Sequence, residues 1–93
     1  MKAAIKKQLD EMTEDELKEV LRRDYIRRLT RYRMIDDYYR KKYSMDFDSF
    51  EKTNIVKKQN YTFEVESDGQ EWELAIDGIE TVEKKLKELL GGN

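Results

Sequence analysis

The 93-residue chain sets 19 Lys and Arg against 21 Asp and Glu, a net charge of −2 in a sequence that is 43% charged against a typical ~25%, a mixture that suits long exposed helices better than a polyanion binder. It has neither Cys nor His, which excludes disulfides, zinc-thiolate sites and cysteine nucleophiles and removes the commonest general base and transition-metal ligand. No apolar run approaches the ~18–20 residues that span a bilayer and the N-terminus lacks the apolar core of a secretory signal, so the expectation is one cytoplasmic domain. A chain of this size buries only ~60–70% of its unfolded surface, and dimerisation or a partner is a natural way to add core.

In chain order, Lys2 to Glu11 reads as a short leading helix built on Ala3, Ala4, Ile5 and Leu9. Met12-Thr13-Glu14-Asp15-Glu16-Leu17 then gives an N-cap at Thr13, a capping-box partner in Glu16 and a Met12–Leu17 hydrophobic staple. From about 13 to 43, a period of 3.6 collects Leu17, Leu21, Tyr25, Leu29, Tyr32, Ile35, Tyr39 and Tyr43 on one face of a long helix, with Val20 and Tyr38 at its edge. Ser44 to Glu51 repeats the punctuation: Asp46 caps, Met45 and Phe50 staple, and a short helix over about 46–55 follows.

Lys57 to Asn60 read as a polar connector. Residues 61–66 alternate as a strand would, but no second convincing strand exists to pair with them. Helical spacing instead places Tyr61, Val65, Trp72, Ile76, Ile79, Val82, Leu86 and Leu90 on one face, predicting a helix over about 61–90 that Gly91 ends. Gly69 and Gly78 within it mark a bend or a close helix contact. The fold expected is all-α: two long antiparallel helices joined by a short one, a single helical domain over 1–93, with a dimeric bundle possible.

Charge is segregated along the chain. Arg22, Arg23, Arg27, Arg28, Arg31 and Arg33 share twelve residues with one acid, Asp24, whereas Glu64, Glu66, Asp68, Glu71, Glu73, Asp77, Glu80 and Glu83 share twenty with no base. This fits three arrangements: pairing within the chain or a homodimer, nucleic-acid binding through Arg22, Arg23, Arg27, Arg31 and Arg33 with Tyr25 and Tyr32, or docking of the acidic helix on a basic partner. The arginines are spread around their helix, which counts against a phosphate-tracking stripe. Arg28, Asp68 and Glu83 intrude on the apolar faces and call for partners; for Arg28 the expected one is Asp24, one turn earlier. Off the stripes lie Ile26, Met34, Phe63 and Leu74, candidates for a second interface.

No residues group for chemistry. Asp46, Asp48 and Glu51 lack the glycine and the glutamate that a calcium loop needs at its sixth and twelfth positions, Asp36 and Asp37 diverge by about 100° on a helix, and no serine has a base. No enzyme activity, cofactor or metal is expected.

The segments Tyr43-Ser44-Met45-Asp46-Phe47-Asp48-Ser49-Phe50-Glu51 and Glu71-Trp72-Glu73 resemble small prokaryotic antitoxin-like proteins, in which a Y-x-M-[ST]-F-[ED]-x-F-E turn precedes a helix with an acidic E-W-E element. Asp46 stands where Ser or Thr is usual and keeps the capping chemistry. The resemblance spans about Tyr39 to Leu90 and implies a non-enzymatic module that binds and occludes a neighbouring small toxin. On that reading the partner meets Trp72, Phe63 and Leu74 as apolar contacts and Glu64, Glu71 and Glu73 as charges.

Overall fold

The computed structural model describes residues 2–53 and 62–91. Four helices run through them: α1 (Lys2–Glu11), α2 (Glu14–Tyr43), α3 (Phe47–Lys52) and α4 (Phe63–Gly91). The connector at 57–60, Tyr61 and the end of the short helix beyond residue 53 lie outside the described residues.

Thr13 starts α2 as its neighbours dictate. Its hydroxyl accepts the Glu16 N–H at 3.1 Å, and its own N–H donates to the Glu16 carboxylate at 3.2 Å, closing the capping box. After the thirty residues of α2, Ser44 ends the helix at φ 55°, in the left-handed region, and the Met45 N–H donates to the Arg40 carbonyl at 3.2 Å. Asp46 then caps α3 by accepting the Ser49 N–H at 2.8 Å. Thr62 does the same for α4, its hydroxyl accepting the Val65 N–H at 3.3 Å, so the strand-like alternation at 62–66 resolves into a cap and a first helical turn.

α2 and α4 pack antiparallel, since Lys42 near the end of α2 meets Glu64 and Asp68 near the start of α4, while Arg33 meets Glu83 farther along. The covered positions recur every seven residues. On α2 they are Tyr25, Leu29, Tyr32, Asp36, Tyr39 and Tyr43, flanked by Ile35; on α4 they are Val65, Asp68, Trp72, Ala75, Ile79, Val82, Leu86 and Leu89, flanked by Ile76. Alternating steps of four and three average 3.5 residues, the spacing of a coiled-coil seam. That register corrects three details of the 3.6-residue reading. Ala75 and Leu89 occupy the seam, Leu90 is exposed, and Gly91 belongs to α4. Arg28 flanks the seam rather than centring it, half-exposed and paired with Asp24 at 3.0 Å as expected.

The densest packing sits where α2, α3 and α4 meet. Trp72, 0% exposed, is ringed by Tyr39, Tyr43, Phe47 and Phe50, with ring centroids 5.1–6.1 Å from its own. Both internal glycines mark close contacts. A Cβ on Gly69 would lie 3.2 Å from the Phe50 ring, and one on Gly78 would lie 2.6 Å from the Tyr32 ring. α1 takes no part, all ten of its residues being exposed.

Candidate functional site

The buried polar groups that enter the seam are satisfied there among the described residues. The Trp72 indole N–H donates to Asp36 at 2.8 Å, and the other oxygen of Asp36 accepts from Arg40 at 3.1 Å. Asp68 accepts from Lys42 and from the Tyr43 hydroxyl, each at 2.6 Å. Asp36 was not foreseen from sequence. Its signal is its place seven residues from Leu29 and from Tyr43.

Burial would raise the Asp68 pKa, but the Lys42 and Tyr43 hydrogen bonds outweigh it and hold the carboxyl below its ordinary value. Tyr43 is pushed up to about 12, first by burial and then by its bond to Asp68; burial likewise raises Tyr39, with the charge of Asp68 adding to it. Hydrogen bonds to Asp68 and Glu64 raise Lys42. The signs fix the pH response. Between the ordinary tyrosine value of 10.0 and about 12 the unfolded chain releases a proton that folded Tyr43 keeps, so stability falls as pH rises through that window. Asp68 acts at the other end, its contribution being lost as pH falls below 3.8. Urea unfolding followed by far-UV circular dichroism should show the alkaline decline, and Tyr43→Phe should make it shallower. An unchanged alkaline slope in that variant would exclude Tyr43 as a source.

The outer surfaces of the two long helices differ in how far their charges are used. Arg22 and Arg23 both grip Glu19, at 2.6 and 2.9 Å, Arg27 and Arg28 share Asp24, and Arg33 reaches Glu83 at 3.4 Å. Those two hydrogen bonds hold the Glu19 carboxyl at about 2. Of the six arginines, only Arg31 forms no ion pair among the described residues. On α4, Lys42 takes Glu64 and Asp68, and Arg33 takes Glu83. Glu66, Glu71, Glu73, Asp77 and Glu80 make no ion pair among the described residues and face outward.

Amid those acids stand the two most exposed large apolar side chains among the described residues, Phe63 at 85% and Leu74 at 70%. Eleven residues, or about three turns, separate them, so on the 3.5-residue seam they project about 50° apart in direction and about 16 Å apart along the helix. Ile26 and Met34 lie on α2 and share no patch with them. Trp72 requires a correction: wholly enclosed in the chain's own aromatic cluster, it is not available to a partner. Glu64 is committed to Lys42, while Glu71 and Glu73 remain exposed on the acidic surface.

Asp46 caps α3 and Asp48 pairs with Lys52 at 2.8 Å, which accounts for two of the three acids at that turn. Among the described residues no group of acids is placed to hold a metal ion, and no helix is long and apolar enough to cross a membrane. No protein-family model matches the chain, and neither a curated protein nor a solved structure does.

Proposed function

We propose that the chain is a non-enzymatic protein-interaction module that works in the antitoxin-like way its turn and E-W-E element imply, by covering a basic surface of a small toxin or comparable partner. The observation that carries this reading is the outer face of α4, where Phe63 and Leu74 stand exposed among Glu66, Glu71, Glu73, Asp77 and Glu80. Apolar anchors within an unneutralised field of one sign suit a partner of opposite charge: the field steers the encounter and the anchors slow dissociation. Nucleic-acid binding by the arginine segment has less support, because acids of the same chain already engage five of its six arginines.

Trp72 serves this site from inside. By fixing α4 against α2 and α3 it sets the direction in which Phe63 and Leu74 project. The test compares wild type with a Phe63→Ser/Glu73→Lys variant, each isolated from the native host at low ionic strength and weighed by native mass spectrometry. A basic polypeptide at fixed stoichiometry on wild type, reduced at least tenfold on the equally helical variant, is the expected result. Equal retention by both would remove the α4 face as the binding surface, and bound nucleic acid in place of a polypeptide would transfer the role to the arginines.

A further inference from the structure

The two sides of the hairpin are not equivalent. The Arg33–Glu83 pair marks one side, and seven-residue steps from Glu83 lead to Gly69, against which Phe50 packs; α3 therefore covers that side. The Lys42–Glu64 pair marks the other. Steps of seven from Lys42 reach Ile35, Arg28 and Leu21, and from Glu64 they reach Glu71, Gly78 and Lys85. Ile35 and Gly78 pack within the hairpin itself, and no third helix of the described residues lies over this side. Leu21, Tyr38 and Leu74 are exposed at 42%, 60% and 70% along this side. At its far end Leu17, Leu21, Tyr25 and Leu89 line an open groove of about 580 Å3.

We infer that this open side is the contact between two copies of the chain, joined about a two-fold axis parallel to the helices into an antiparallel four-helix bundle. Size supports it. A 30-residue helix is about 45 Å long, and two helices side by side present a face about 20 Å wide, or about 900 Å2, close to the ~800 Å2 that each partner contributes to a standard interface. Charge selects the arrangement. With the axis parallel to the helices, each α2 lies against the other copy's α4, and Arg22–Arg33 stands level with residues 77–88, where Asp77, Glu80, Glu83 and Glu88 outnumber Lys84, Lys85 and Lys87, whereas an axis across the helices would set six arginines against six. Shape agrees as well. Tyr32 faces Gly78 and Lys42 faces Asp68, so Tyr38 stands level with residues 72–74, and a parallel axis keeps that level. Tyr38 of one copy then meets Leu74 of the other, so the second copy and the basic partner compete for Leu74, while Phe63 and Glu73 stay outward.

Sedimentation equilibrium tests the inference without touching Phe63 or Glu73, so its failure is distinct from failure of the proposed function. Wild type should run at twice the 11.3 kDa chain mass at micromolar concentration. Leu21→Glu/Tyr38→Glu should raise the dimer dissociation constant at least a hundredfold with helix content unchanged, and Met34→Glu on the outer face of α2 should leave it within threefold. A wild-type monomer at hundreds of micromolar, or equal weakening by Met34→Glu, overturns the open side as the interface. The chain has no cysteine, so Tyr38→Cys and Leu74→Cys chains can be mixed and oxidised. The mixed 38–74 disulfide is expected to dominate, and a dominant 38–38 species overturns the arrangement.

Discussion

Trp72→Ala should lower stability by about 3–5 kcal/mol, the range for emptying a fully buried large aromatic site. Against a total of roughly 5–14 kcal/mol for a chain of this length, that is about a fifth of the whole or more. The physical reason is the number of elements that meet on one side chain. Tyr39 and Tyr43 stack on the indole from α2, and Phe50 of α3 closes to 5.1 Å. Truncation also deprives Asp36 of the indole N–H that it accepts at 2.8 Å. Trp72→Phe, which keeps a ring and loses the donor, should cost less. Urea midpoints followed by far-UV circular dichroism measure both, and a loss below 1 kcal/mol in the alanine variant would refute Trp72 as the keystone.

Gly78→Leu should destabilise the protein by ~1–3 kcal/mol despite the better helix propensity of leucine. The first added carbon already falls 2.6 Å from the Tyr32 ring, and the rest of the side chain has to displace that ring or part the helices. Alanine separates the two effects. On its own Gly78→Ala gains up to ~1 kcal/mol in propensity and loses it to the clash; in a Tyr32→Ala background the clash is gone and the same change should stabilise. If the two backgrounds respond alike, the close approach is not what selects glycine.

The caps were legible in the sequence because their chemistry is local: Thr13 with Glu16, and Asp46 with Ser49, lie three residues apart and need no tertiary context. The hairpin was legible for a related reason, since two long apolar stripes joined by a short link have few ways to bury each other. What escaped depends on the partner helix. A period of 3.6 and one of 3.5 diverge by ~20° per heptad, enough over 29 residues to admit Leu90 where Leu89 packs and to miss Ala75. Asp36 and Asp68 looked like surface acids or intruders, because the indole and phenol that satisfy them come from across the seam. Trp72 was read as a partner's anchor for the same reason: spacing assigns a residue to a face, but not the molecule that covers it. Phe63 and Leu74 fell off the stripe in the sequence and are exposed in the fold, so that part of the candidate site was visible from pattern alone.

The most direct measurement of the central claim is amide hydrogen exchange on the free chain and on its complex with the partner that co-purifies with it. Binding through the outer face of α4 predicts slowed exchange concentrated over residues 63–80, with Arg22–Arg33 of α2 unchanged. Protection centred on Arg22–Arg33, with 63–80 unaffected, would contradict it.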